Sequence, residues 1–186
     1  MPSIVDICNK ALDKLGQSPI TSLSDGTKAA NLCNRNWEMV RNQVLRDHPW
    51  NFAMKRAALA PSSTTPSWGF AYSFPLPADF ARLVEIRDLS TAEYVLEDNQ
   101  ILANDDTLYI RYVYKVSDSN KYDSSFVDAV AARLAVELCE ALTQSNTKKE
   151  MLFQEYDDSL TRAKRVDGQE NPPVQFEEDE WINVRY

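Results

Sequence analysis

Four glycines, one histidine and three cysteines in 186 residues leave little material for several kinds of chemistry. Gly16, Gly26, Gly69 and Gly168 are scattered, so no glycine-rich loop is available to cradle a phosphate. Any Ser-His or Cys-His system would have to use His48 as its base, and no nucleophile elbow lies near it. Cys8, Cys33 and Cys139 lie far apart, each at an apolar position of an expected helix. A zinc site would want closely spaced Cys or His pairs, so these read as free, buried thiols behaving as small hydrophobes. No apolar run approaches the roughly 20 residues that span a bilayer. Met1–Asp6 lacks the basic and apolar regions of a signal peptide, which makes the cytoplasm the expected place of synthesis. Basic residues are outnumbered 20 to 28, for a formal net charge of −8. That balance argues against gripping nucleic acid by its phosphates, which takes clustered Lys and Arg.

What is present is patterned apolar sequence, 44% of the chain, enough for one domain with a sizeable core. Four amphipathic helices are expected, over residues 3–16, 27–48, 125–143 and 147–166. The first starts at Ser3 with Asp6 three residues on, and ends at Gly16. Ile4, Ile7, Cys8, Ala11, Leu12 and Leu15 keep the three-and-four spacing of one buried face. After a loop containing Pro19, the cluster Ser24–Thr27 caps a second helix that buries Ala30, Cys33, Trp37, Val40, Val44 and Leu45. Pro49 ends it, because a proline pushes the preceding residue out of helical conformation. Ser124 or Ser125 is expected to cap the third helix, with Asp128 in its first turn. Phe126, Val127, Val130, Ala131, Leu134, Ala135, Leu138, Cys139 and Leu142 form its wide apolar stripe. The fourth is amphipathic through Met151, Leu152, Tyr156, Leu160 and Ala163, and Asp167-Gly168 is expected to end it.

Between the second and third helices, about 52–117, the pattern changes to strands. Residues 82–87 form one, residues 94–97 and 100–103 a hairpin about Asp98-Asn99, and residues 107–116 the clearest, rich in aromatic and β-branched residues. The expected fold class is therefore α+β, mainly α: a four-helix bundle with a small antiparallel sheet inserted after the second helix. From 169 the sequence changes again. Pro172-Pro173 blocks a helix, Glu177–Glu180 is an acidic block, and Phe176, Trp181, Ile182 and Tyr186 are apolar without a periodic partner. A disordered tail should be poor in aromatics, so residues 169–186 read as an extended arm that folds onto a partner, the alternative being a tail docked on its own domain.

Chemistry-bearing pairs are few. Glu137 with Glu140 and Asp157 with Asp158 could in principle serve a glycosidase, which needs two acids at the right separation. Ion pairing with Arg133, Lys164 or Arg165 is the plainer reading. Asp98, Asn99, Asn104, Asp105 and Asp106 lack EF-hand spacing and suit tight turns. Catalytic residues, cofactors and metal ligands are accordingly expected to be none. Arg41 and Arg46, with Arg35, Lys55 and Arg56, give the second helix and its exit a positive tint that could meet an acidic edge of a neighbouring subunit.

The segments Ala11–Gly16 with Pro19–Leu23, Lys28–Asn34, His48–Ala53, Trp68–Tyr72, Phe74–Phe80 and Phe126–Ala135 succeed one another in an order that resembles the head-to-tail adaptors of tailed phages. The resemblance is to the tail tubular protein A family of short-tailed phages, and it extends to about Glu170. It implies a structural virion protein, assembled from the host cytoplasm into a ring, commonly of 12 copies, at the head–tail junction. Its implied partners are the portal, the tail nozzle (a tail tubular protein B-like part) and possible tail fibres, with DNA passing through the lumen and no membrane involved. His48, Pro49, Trp50 and Phe52 would then be structural: the proline fixes a turn and the aromatics pack between helices and sheet. The arm residues Phe176, Trp181, Ile182 and Tyr186 would contact portal or neighbour, and Arg41 and Arg46 the adjoining subunit. Two other readings stand beside it: the connector of a long-tailed phage, and a virion-associated peptidoglycan hydrolase on the same helical scaffold.

Overall fold

A computed structural model describes residues 2–90 and 93–170. The expected arm, apart from its first two residues, and with it Phe176, Trp181, Ile182 and Tyr186, lies outside the described residues.

The first helix, α1 (Ile4–Leu15), opens on a capping box in which Ser3 and Asp6 satisfy each other's backbone amides, and closes on Gly16 at φ 70°. That left-handed conformation suits a residue without a Cβ. Thr27 caps α2 (Lys28–Asp47), as its loop position suggests. The expected apolar faces of both helices are buried, and Cys33 of α2, followed by burial, pushes the Cys8 thiol of α1 up. Helix α3 (Ser124–Thr143) starts one residue earlier than expected. Asp123, not a serine, is its N-cap, accepting from the Ser125 amide at 2.7 Å. Asp128 stands beyond the first turn and pairs instead with Lys10 of α1. Helix α3 is the central helix, touching α1, α2 and α4 (Asn146–Gln169). Gln144, left-handed at φ 54°, and Ser145, the N-cap of α4, make the tight reversal between the last two.

The insertion holds two three-stranded antiparallel sheets rather than one. In the first, β6 (Leu108–Tyr114) is flanked by β1 (Met54–Leu59) and β3 (Phe80–Arg87). In the second, β5 (Gln100–Ala103) is flanked by β2 (Tyr72–Pro75) and β4 (Val95–Glu97). The β4–β5 hairpin turns on Asp98 and Asn99 at φ 45° and 55°. Paired positive angles are what a two-residue turn of this twist requires, and Asn and Asp tolerate them best among residues with side chains. Phe74, Ile101, Ala103, Leu108, Ile110 and Tyr112 form a small core between the sheets. On the other face of the first sheet, Met54, Val84, Val113 and Tyr114 join the larger core of the helices. Helix α2 is stapled to β3 reciprocally: Arg46 donates to the Ala81 carbonyl, and Arg82 donates to the Arg46 carbonyl at 2.9 Å.

Candidate functional site: the junction after the second helix

The end of α2 leaves carbonyls without helical partners. Trp50, carried back by the turn at Pro49, donates its indole N–H to one of them, that of Val44, at 2.9 Å. The indole is fully buried. It meets Phe126 of α3 edge-on at 5.1 Å between ring centroids, and Phe52, from the short 3-10 turn Asn51–Ala53, meets the same ring at 5.0 Å. Tyr122 completes the cluster at 5.1 Å from Phe126 and donates its hydroxyl to the Val116 carbonyl. Edge-on aromatic contacts of this kind add to the area each ring buries. The motif thus joins the end of α2, the start of β1 and the first turns of α3.

A second set of contacts reaches the far end of the chain. His48 Nε2 lies 2.9 Å from the Asp167 carboxylate, whose other oxygen accepts the Asn51 amide at 3.0 Å. The Asn51 side chain donates to the Asp167 carbonyl at 2.7 Å. Two residues before Pro49, Asp47 accepts from the Tyr156 hydroxyl at 2.7 Å. Burial, and then that carboxylate, push the Tyr156 phenol well above its ordinary pKa. Helix α4 is consequently tethered at two points, Tyr156 and Asp167, to three residues around the proline, Asp47, His48 and Asn51. This explains a departure from expectation: α4 runs through Gly168 to Gln169 rather than stopping at 166. A glycine in a helix costs about 1 kcal/mol relative to alanine. Asp167 is buried and bonded on both carboxylate oxygens, which offsets that cost.

The junction has the polar half of an acid–base pair without a group for it to activate. Among the described residues no hydroxyl or thiol hydrogen-bonds the His48 ring, and Trp50 lies edge-on to it at 4.9 Å. Of the acids singled out in sequence, Asp157 and Asp158 are exposed and make no ion pair or hydrogen bond among the described residues, while the α3 pair is engaged in ion pairs. Glu137 pairs with Arg133 at 2.6 Å, and Glu140 with Lys149, not Lys164 or Arg165, at 3.0 Å. The turn residues Asn104 and Asp105 accept from the amides of Ala71 and Ser90. Trp50 is fully enclosed in the helical core, and Phe52 is half-buried against it.

The two arginines expected to face a neighbour need correcting in one respect. Arg41 is 7% exposed, its guanidinium held by Asn42 at 3.0 Å and Glu38 at 3.3 Å and lying against the Tyr122 hydroxyl. It is a buried polar residue of the bundle because α3 begins over that side of α2. Arg46 is at the surface, but its guanidinium is spent on the Ala81 carbonyl. Sequence reasoning missed Asp167 and Asn51, which lie 116 residues apart and become partners only through packing. The one hint was a polar pair, Asp47 and His48, closing the helix directly before Pro49. No family model matches the chain, and no curated protein matches it significantly.

Proposed function

We propose that this chain is a structural head-to-tail adaptor of a tailed phage, of the tail tubular protein A kind, forming a ring between portal and tail nozzle through which DNA passes. The observation that carries the reading is the ordered succession of segments from Ala11–Gly16 to Phe126–Ala135. Two features of the structure are in keeping with it. The segment His48–Ala53 is used as a joint between bundle and sheet, as a structural part would use it, and its histidine has no nucleophile among the described residues. In addition, α4 keeps large apolar side chains on its outer side, with Met151 65% and Phe153 55% exposed. Apolar side chains at a surface suit contact with a further subunit. In a ring each such contact is heterologous, and rotation must close it.

The test is electron microscopy of the purified protein mixed with its cognate portal ring, with light scattering of the protein alone. A symmetric tier added beneath the portal is the expected result. A protein that ignores the portal would sink the adaptor reading. Clearing of chloroform-treated Gram-negative cells, abolished by Glu137→Gln or Glu140→Gln, would put the peptidoglycan hydrolase in its place.

A further inference from the structure

The acidic block at 177–180 would complement a basic face, and Arg41 and Arg46 of α2, already engaged by their neighbours, do not supply one. The first sheet does. On the face that also carries Met54 and Val113, farther along the strands and open to solvent, Arg56 of β1 stands directly across from Arg111 of β6, which is across from Glu85 of β3. One step further along the face, Ala58, Tyr109 and Arg87 occupy the same three strands. These residues, with Asp88 at the rim, line a concavity of about 600 Å³. Arg111 is paired with Glu85 at 3.0 Å. Arg56 and Arg87 are exposed, and their side chains make no ion pair or hydrogen bond among the described residues. Like charges directly opposite on a sheet repel, so Arg56 beside Arg111 favours an anionic occupant. Tyr109, 51% exposed between them, offers that occupant an aromatic floor.

The position of the chain's exit selects the occupant. Glu170 reaches the Asn51 side chain at 3.5 Å, so the segment that follows leaves beside the start of β1. From Asn51 to Arg56 is five residues of chain, at most about 18 Å. From Glu170 to Glu177 is seven, about 23 Å when extended and about 22 Å if Pro172-Pro173 hold a polyproline conformation. We propose that the acidic block Glu177–Glu180 of the same chain docks on this arginine face, with Trp181 against Tyr109. The charges are complementary: four acids in succession against two unpaired guanidiniums, with Asp88 the one unpaired acid at the rim. Docking of this kind would occupy the segment in the free protein and release it to a competing partner, and it stands whether or not the adaptor reading does.

The full chain carries its own reporter, since only Trp37, Trp50, Trp68 and Trp181 contribute indole N–H signals. Trp181→Phe identifies the Trp181 resonance in a nitrogen–proton spectrum. Expected is a Trp181 signal displaced from its position in a free 171–186 peptide and unchanged over a hundredfold dilution. Arg56→Glu with Arg87→Glu should move it to the peptide position while Trp37 and Trp50 stay put, and raising salt should do the same by screening. Adding Glu178→Arg and Glu180→Arg should bring the displacement back. If the reversal unfolds the protein, Arg56→Gln with Arg87→Gln makes the same comparison. A Trp181 signal at the peptide position in the unaltered chain, or one indifferent to these arginines, overturns the proposal. So does a displacement lost on dilution, which would assign the segment to a neighbouring copy.

Discussion

The two halves of this protein solve the same packing problem on different scales. The bundle buries a continuous core drawn from all four helices, with Trp50, Phe126, Leu12, Leu45, Leu134 and Leu138 fully enclosed. The sheet pair has six buried residues between its layers, and leaves Val95, Leu96 and Tyr109 at the surface. The difference is one of geometry. A central helix such as α3 can be covered on several sides by neighbours, whereas each small sheet here has only one face fully covered. The bundle therefore supplies a rigid frame, and the sheets supply surface.

The sharpest way to break that comparison is to open each core in turn. Trp50→Ala should lower stability by about 3–5 kcal/mol, read from urea denaturation, because it removes the ring shared by α2, α3 and the β1 entry. Phe74→Ala falls in the same class of substitution and should lie at the lower end, about 3 kcal/mol, since the neighbouring shell is small and half exposed. Hydrogen exchange on the Phe74→Ala protein should show β2, β5 and β4 exposed first, with α3 still protected. Simultaneous loss in both regions would mean that the two cores unfold as one unit.

A smaller effect should come from the tether that holds α4 to the end of α2. Asp167→Ala leaves the His48 ring and the Asn51 amide without their partner, at about 1–3 kcal/mol, and should fray α4 from Gly168 backwards. Protection of the α4 amides unchanged in that variant would show that the helix holds its last turn without the tether.

In the sheet half, the polar link is Tyr112, Asp79 and Lys55. Tyr112→Phe should cost about 1 kcal/mol. Its pH signature is specific. Burial, and then the Asp79 carboxylate, push the Tyr112 phenol up to about 12 from 10.0. A raised pKa means stability that is complete below the unfolded value and lost as pH climbs through the folded one. Tyr112 thus weakens the fold between about pH 10 and 12, and the phenylalanine variant should lose its share of that decline. Asp79 runs the other way. Burial raises its pKa, but hydrogen bonds from Lys55 and Tyr112 outweigh that and hold the carboxyl below 3.8. Its contribution is present above the ordinary carboxylate range and fades in acid, so Asp79→Asn should flatten the acid limb of a stability curve. Smallest of all, Asn99→Ala should cost about 1 kcal/mol, confined to the β4–β5 hairpin, because alanine tolerates positive φ less well.

The same division governs what could be read in advance. α1 and α2 were legible because caps and apolar spacing are local: Ser3, Gly16 and Thr27 mark ends that depend on nothing distant. The hairpin at Asp98-Asn99 was legible for the same reason. The second sheet was not, since β2 is four residues long, ends in Pro75, and becomes a strand only by pairing with β5 about 28 residues on. The end of α4 was misplaced because Gly168 is a local stop signal and Asp167 has a distant answer to it. Of the junction, His48, Pro49, Trp50 and Phe52 could be named from sequence, but half of what they hold could not. Arg41 looked like a surface charge because only the start of α3 covers it.

The chain order of these contacts has a consequence for how the protein is made. α1 docks chiefly on α3, with Lys10 and Asp128 as one pair, and β1 finds its partner only in β6. A ribosome that has released α1, α2 and β1 has released no complete core. The two elements that close the bundle, α3 and α4, follow all of these in the chain. The first half of the chain therefore has no complete core to fold against until α3 and α4 have been made.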